Sequence, residues 1–87
     1  MKKLKRVIQK EWGLKYKALD KNMTLIMLSE QIAMDSEKCS LEEAYGMYID
    51  KPQFHLPGII ALILTDELGI ESNKVNVGMT LDHLLSL

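Results

Sequence analysis

Apolar residues at helical spacing begin the chain and predict a first amphipathic helix. Leu4, Val7, Ile8 and Trp12 fall on one side of a helical wheel, and basic residues fill much of the remainder. Gly13 follows directly, and a glycine can adopt positive φ without a Cβ clash. We therefore expect the first helix to end at Gly13.

The next segment predicts a loop and then a short helix. Residues 14–23 lack helical periodicity, and Leu19 is their expected apolar anchor. Thr24 suits the N-cap position, because its hydroxyl can accept a hydrogen bond from an unpaired amide of the following turn. The side chains expected to face inward from this helix are Leu25, Met27, Leu28 and Ile32.

Ser36 and Ser40 are both candidates to cap the helix that comes next. Ser40 is favoured, because Ser40 and Glu43 have the spacing of a capping box, in which the carboxylate reaches back to the cap amide. The apolar stripe of this helix consists of Leu41, Ala44, Tyr45 and Tyr48.

The last third of the chain predicts the central helix and a final turn. Residues 59–68 are the most hydrophobic segment, and Pro57 suits the first turn of that helix, where its missing amide costs nothing. The remaining assignments are Gly69 as the end of the helix, a loop over residues 73–78, and Thr80 as the cap of a last turn over residues 81–87.

The beginning of the chain returns in degraded form at its end. Shifting the sequence by 56 positions places Gly13 on Gly69, Met23 on Met79, Thr24 on Thr80 and Leu25 on Leu81. Each copy reads as an apolar helix, a glycine, a spaced aliphatic residue and then Met-Thr-Leu. Two copies are too few for a solenoid, so the repeat favours a compact bundle with related halves.

These patterns together predict an all-α fold. No stretch alternates apolar and polar residues for long, so strands are not expected. The 87 residues suit a single helical domain, residues 1–87, built as a small bundle of four to five helices.

Composition narrows the class of protein. A single cysteine, Cys39, excludes an intrachain disulfide framework, and no Cys/His spacing suggests zinc. Charges interrupt the apolar residues at the N-terminus, so we expect no signal peptide. The longest apolar run, residues 58–64, is too short to span a bilayer. We therefore expect a cytoplasmic protein without membrane association.

Catalytic motifs are missing from the sequence. His55 and His83 have no motif around them, and Cys39 lacks a base partner and lies among acids that would raise its pKa. Nothing resembles a phosphate-binding glycine loop or a pair of metal ligands. The sequence therefore predicts a non-enzymatic protein without a metal.

Charge is distributed unevenly, although the net charge is only −1. Residues 2–21 contain eight of the eleven basic residues and two acids, so this segment carries +6 and the remainder −7. Residues 30–50 carry −5. Such asymmetry gives solvated faces of opposite charge. The functional hypothesis is that one of these faces is a docking patch for a protein partner.

Both ends of the chain resemble the acyl carrier protein family. The first match consists of Val7-Ile8, Glu11, Trp12-Gly13-Leu14, Leu19, Asn22 and Thr24-Leu25, which are similar to the carrier's first helix and loop. The second consists of residues 67–71 and 80–85, which are similar to the end of its second helix and to its final helix. The resemblance covers about two-thirds of the chain and implies a carrier-like helical bundle.

The resemblance also implies a prosthetic group. Carriers hold phosphopantetheine on the Ser of an Asp-Ser-Leu motif, and Asp35-Ser36 matches its first two residues, although Glu37 replaces the apolar third. Ser36 and Asp35 are thus the expected cofactor-binding residues. The acidic region after them is similar to the helix that carrier partners recognise, and the expected partner-binding residues are Met34, Glu37, Glu42 and Glu43.

A second alignment of the same resemblance stays open. Matching the end of the chain places His55 at the Ser position, and histidine cannot take the phosphodiester. In that alignment residues 36–53 are an inserted helix, and the protein has a carrier-like fold without the prosthetic group.

Residues 28–34 also resemble the first helix and turn of a helix-turn-helix domain. Residues 35–43 would then be the recognition helix, but they contain four acids against Lys38. Placing that surface between phosphates is electrostatically unfavourable, so direct reading of DNA is not expected. The basic first helix suits contact with a nucleic-acid backbone better.

A third hypothesis is a small regulatory protein that binds a larger protein assembly. Methionine is an adaptable packing residue, and it suits a plastic binding surface as well as a core. Exposure of Met27, Met34, Tyr45 and Tyr48 would favour binding, and burial of all four would favour a packing role.

Overall fold

A computed structural model describes residues 1–36 and 56–87 of the chain. Within these ranges the chain forms four α-helices, one short 3-10 helix and no strand. The described part is thus helical, which confirms the all-α prediction at that level. The elements are α1 (Lys2–Trp12), α2 (Leu25–Asp35), α3 (Leu56–Glu67), the 3-10 helix (Ser72–Lys74) and α4 (Leu81–Leu85).

The core is aliphatic and draws on all four helices. Leu4 and Ile8 of α1, Leu25 of α2, Leu64 of α3 and Leu81 of α4 are completely buried. Burying one such side chain stabilises the fold by roughly 1.5–3 kcal/mol relative to leaving it in water. The other buried apolar residues are Val7, Leu28, Ile32, Ala33, Ile60, Ala61 and Leu84.

The starts of α2 and α4 cross each other at the centre of the fold. The amide of Leu25 donates to the carbonyl oxygen of Met79 at 2.9 Å, and the amide of Leu81 donates to the carbonyl oxygen of Met23 at 2.9 Å. The two donors are 56 positions apart in the sequence, and so are the two acceptors. The second bond is therefore the first one with the two halves exchanged. This reciprocity is what an approximate two-fold axis between the two helix starts produces.

A second reciprocal pair extends the crossing. The Ile26 amide donates to the Val77 carbonyl oxygen at 2.9 Å, and the Asp82 amide donates to the Lys21 carbonyl oxygen at 3.0 Å. Amides in the first turn of a helix have no partner inside the helix. Four of these orphan amides are therefore satisfied by the preceding loop of the other half.

Matching side chains support the two crossing segments. The hydroxyl of Thr24 accepts the Met27 amide at 3.3 Å, and the hydroxyl of Thr80 accepts the His83 amide at 3.2 Å, so both predicted N-caps are confirmed. The loops before them have matching turns: Asp20 Oδ1 accepts the Asn22 amide, and Asn76 Oδ1 accepts the Gly78 amide, both at 2.8 Å.

A glycine with positive φ follows each helix that precedes a loop, directly after α1 and two residues after the end of α3. Gly13 follows α1 with φ of 71°, and Gly69 follows α3 with φ of 74°. Both values lie in the left-handed region, where a Cβ is unfavourable, so both predicted helix ends are confirmed. The predicted relation between the halves therefore extends from the glycines to the helix caps.

Three details of the sequence interpretation are corrected. Met27 was expected to face inward but is 53% exposed. It follows Leu25 by two residues, which turns it roughly 200° away from the buried side of α2. The central helix is Leu56–Glu67, with Pro57 buried in its first turn. The loop expected over residues 73–78 begins within a 3-10 helix that also includes Ser72.

Candidate functional site

Ser36 lies at the C-terminal end of α2. It is the C-cap residue, with φ of −78° and ψ of −2°, and its amide donates to the carbonyl oxygens of Ile32 and Met34. Its hydroxyl donates to the carbonyl oxygen of Ala33 at 3.2 Å, and the residue is half-buried. The hydroxyl is therefore engaged by the end of α2.

Asp35, the other predicted cofactor-binding residue, is held by two side chains. The Tyr16 hydroxyl donates to Asp35 Oδ2 at 2.7 Å, and the Gln31 amide nitrogen lies 2.9 Å from both carboxylate oxygens. Burial, and then the hydrogen bond and charge of Asp35, raise the pKa of Tyr16 well above its ordinary value. This trio fastens the loop after α1 to the end of α2.

The predicted acidic docking residues Glu37, Glu42 and Glu43 lie outside the described residues. The same holds for Cys39, Ser40, Tyr45, Tyr48 and His55. Met34 is described and is 44% exposed. Met27 precedes it by seven residues, or about two helical turns, so both methionines lie on one outer side of α2. Their assignment to partner binding stays a prediction.

The helix-turn-helix interpretation has only its first element in the described residues. Residues 28–34 lie inside α2, where Leu28, Ile32 and Ala33 are buried in the common core. The segment expected to read DNA begins at Asp35 and continues outside the described residues. The expectation that this segment does not read DNA directly therefore stays a prediction as well.

An open cleft of about 480 Å³ lies where α3 ends and the chain turns into the 3-10 helix. Its apolar lining comes from Leu62 and Ile63 of α3 and from Ile70. Asp66, Glu71 and Ser72 add polar groups to the lining, and all three are exposed. We call this surface, formed by these six residues and the buried Thr65, the α3 cleft.

Leu62 is the most exposed large apolar side chain in the described residues, with 61% of its surface in water. Ile59, three residues earlier on α3, is 40% exposed. Residues three apart lie on the same side of a helix, so these two side chains form an apolar row that leads into the α3 cleft.

Asp66 and Glu71 of the α3 cleft differ from the neighbouring Glu67 in their ion pairing. Glu67 accepts a hydrogen bond from Lys10 at 3.1 Å, and this bond and the charge of Glu67 raise the pKa of Lys10. Asp66 and Glu71 have no ion pair within the described part of the chain. The cleft therefore combines an exposed apolar side chain with two uncompensated negative charges.

The repeat places basic residues at the equivalent positions of the first half, and two of these basic residues correspond to acids. Shifting back by 56 positions replaces Ile59 by Lys3, Leu62 by Arg6, Asp66 by Lys10 and Glu71 by Lys15. All four basic residues are exposed. We call Lys3, Arg6, Lys10 and Lys15 the basic surface. The two halves therefore present related backbones with contrasting outer faces.

Sequence reasoning missed the α3 cleft. Residues 59–64 are all apolar, so their pattern does not indicate which side of the helix is buried. A usable signal did exist, because the shift by 56 positions exchanges Lys10 for Asp66 and Lys15 for Glu71. Charge reversal at equivalent positions marks surface residues, since core positions keep their aliphatic character.

The described residues form neither a metal-binding group nor a membrane-spanning helix. Among residues 1–36 and 56–87, no group of three His, Cys, Asp or Glu side chains is arranged to hold a metal ion. No helix in those ranges has both the length and the apolar character that crossing a bilayer requires.

Comparison of the chain with protein-family models, with curated proteins and with solved structures found no match. The chemistry of the described surfaces is therefore the basis on which a function can be inferred.

Proposed function

We propose that this chain is a non-enzymatic protein-docking module with a carrier-like helical core, and that it binds a basic protein partner at the α3 cleft. The observation that carries the proposal is the exposed Leu62 beside two carboxylates, Asp66 and Glu71, that no cation of the described residues neutralises. Apolar contact and opposite charge would act together at this surface.

The apolar contribution comes from Ile59 and Leu62. A single exposed aliphatic residue is normal on a protein surface, whereas neighbouring ones beside a concave surface indicate a contact site. A partner that covers them gains roughly 25 cal/mol for each Å² of apolar surface removed from water. The apolar part of a partner side chain, such as the methylene stem of a Lys or Arg, would cover Leu62 beside the cleft.

The charged contribution comes from Asp66 and Glu71. Charges at the edge of an interface mainly raise the association rate and select among partners. Two carboxylates beside an apolar cleft would select a partner whose apolar anchor is flanked by Lys or Arg. Because these carboxylates are exposed, salt would screen their attraction and weaken binding.

The acyl-carrying version of the proposal depends on Ser36. Attachment of phosphopantetheine requires a hydroxyl that an enzyme can reach, but Ser36 donates its hydroxyl to Ala33 and is half-buried. Asp35 is likewise engaged by Tyr16 and Gln31. Both residues thus already have hydrogen-bond partners, so we base the docking proposal on the α3 cleft and keep the acyl-carrying version as a separate prediction.

Intact mass tests the carrier chemistry separately. The full chain would be incubated with a phosphopantetheinyl transferase and coenzyme A, with Ser36→Ala as the matched control. Addition of one phosphopantetheine to the wild type and none to Ser36→Ala would establish the carrier role. An unchanged mass for both would remove it and leave the docking proposal standing.

A titration followed by NMR tests docking. The probe is a synthetic amphipathic helix of Leu and Lys, and the matched probe replaces every Lys by Glu. We expect the Leu/Lys peptide alone to shift amide signals over residues 59–72. Asp66→Lys should weaken its binding by roughly tenfold, since reversing a charge replaces attraction by repulsion.

Asp82→Lys is the control variant, because Asp82 is an exposed acid on α4 outside the cleft. It makes the same change in net charge and should leave the affinity nearly unchanged. Equal binding of the Glu peptide, or equal weakening by Asp66→Lys and Asp82→Lys, would contradict the proposed site. Far-ultraviolet circular dichroism confirms that both variants are folded.

A further inference from the structure

We propose that the basic partner of the α3 cleft is a second copy of this chain, which presents its own basic surface. This inference rests on the proposed function, because it names the occupant of the same cleft. It starts from the internal repeat, which gives one molecule two related outer faces of opposite charge.

The two faces differ in character at each of four equivalent positions and have opposite charge at two of them. Across the repeat, Ile59 and Leu62 correspond to Lys3 and Arg6, and the acids Asp66 and Glu71 correspond to Lys10 and Lys15. Both acids of the α3 cleft therefore correspond to a lysine of the basic surface. A single molecule therefore carries both halves of an attractive pair.

Long basic side chains suit a surface that is apolar and acidic at once. Lys and Arg lay their methylene stems along apolar surface while the charged head group stays in water or meets a carboxylate. Arg6 of one copy would cover Leu62 of another and reach Asp66 with its guanidinium group. Arginine favours such contacts, because its planar donors match a carboxylate in two-point geometry.

The two basic residues that carry this contact are available. Lys10 already pairs with Glu67 of its own chain. Arg6 and Lys15 are exposed and have no ion pair with any described residue. We therefore assign the contact between copies chiefly to Arg6 and Lys15 on one copy and to Asp66 and Glu71 on the other.

This contact joins two different surfaces, so it is heterologous. Each added copy leaves one basic surface and one α3 cleft free at the ends of the assembly. We therefore expect association to continue beyond the dimer as concentration rises. It should weaken at least roughly tenfold on going from low salt to about 0.5 M sodium chloride, because exposed charges are screened.

Sedimentation equilibrium on two charge-reversed variants tests the proposal. One variant, Asp66→Lys with Glu71→Lys, keeps only the basic surface. The other, Arg6→Glu with Lys15→Glu, keeps only the α3 cleft. We expect each variant to be monomeric alone and an equal mixture to associate again, because the intact basic surface of the first variant meets the intact α3 cleft of the second and the two reversed surfaces also carry opposite charges. The wild type should associate on its own at the same concentration.

The outcomes separate this inference from the proposed function. A wild type that stays monomeric at all concentrations but binds the Leu/Lys peptide at the α3 cleft overturns only the self-association. A wild type that does neither overturns both. Self-association that survives both charge reversals would show that copies meet through other surfaces, and it would also overturn the inference.

Discussion

The two halves of this chain share a backbone at their crossing but differ in what surrounds it. In the first half the outer face of α1 is basic, whereas the equivalent face of α3 is apolar and acidic. The helices after the two Thr caps also differ in length, since α4 has five residues and the equivalent α2 has 11. The core and the crossing are thus kept in both halves, while the outer faces have diverged.

The comparison shows how few residues define the shared corner. Each half needs a glycine with positive φ, an Asx turn, a Thr cap and buried aliphatic residues after the cap. None of these requirements concerns the outward positions of α1 or α3. Surface residues were therefore free to acquire opposite charges without altering the crossing.

The largest expected effect comes from breaking the core on either side of the approximate axis. Leu25→Ala and Leu81→Ala each remove a completely buried side chain. Each should lower the free energy of unfolding by about 2–5 kcal/mol, from lost apolar transfer and the cavity left behind. Urea denaturation followed by circular dichroism measures both. A loss at one position with none at the other would refute the equivalence of the halves.

A smaller effect is expected at the two glycines. Gly13→Ala and Gly69→Ala would place a Cβ on left-handed backbone, where no other atom lies within 4 Å. The cost is therefore conformational, roughly 1–2 kcal/mol at each site. Asn tolerates this conformation better than Ala, so Gly→Asn is the control and should cost less. Equal losses for Ala and Asn would contradict this explanation.

The tie between Tyr16 and Asp35 has no counterpart in the second half, where the position equivalent to Tyr16 is Ser72. The pKa of Tyr16 is raised on folding, so its contribution is complete below the unfolded value of about 10 and is lost as pH rises above it. We expect the wild type to lose more stability than Tyr16→Phe between about pH 8 and pH 11. Parallel pH profiles would contradict this role.

The smallest effect is expected for Lys10→Met, which removes the ion pair that joins α1 to α3. Both side chains are substantially exposed, so solvent screens the attraction. We expect a change in the urea midpoint close to experimental error, and smaller than that of either glycine variant. A loss as large as that of Leu25→Ala would show that the halves are held together by charge rather than by the core.

Much of the fold could be predicted from the sequence because the corner depends on local chemistry. The glycines, the Thr caps and the aliphatic residues after them are short-range signals, and their repetition indicated that the halves are related. The orientation of Met27 was beyond such signals, since residues 25–28 are all apolar and only packing decides which of them face the core.

The candidate site was less predictable because it arises from tertiary packing. Tyr16 and Asp35 are 19 residues apart and meet only when the loop folds back onto α2. The α3 cleft forms where Leu62 of a helix and Ile70 of the following turn leave space between them. Neither arrangement produces a periodic pattern in the sequence. The charge reversal across the repeat, in contrast, can be recognised once the two halves are aligned.

Amide hydrogen exchange at the crossing tests the central claim most directly. The amides of Leu25, Ile26, Leu81 and Asp82 each donate to a carbonyl oxygen in the other half. The account predicts that all four exchange slowly and at similar rates, because only opening of the whole crossing releases any of them. Slow exchange at Leu25 and Ile26 with fast exchange at Leu81 and Asp82 would contradict the claim that two equivalent corners share one core.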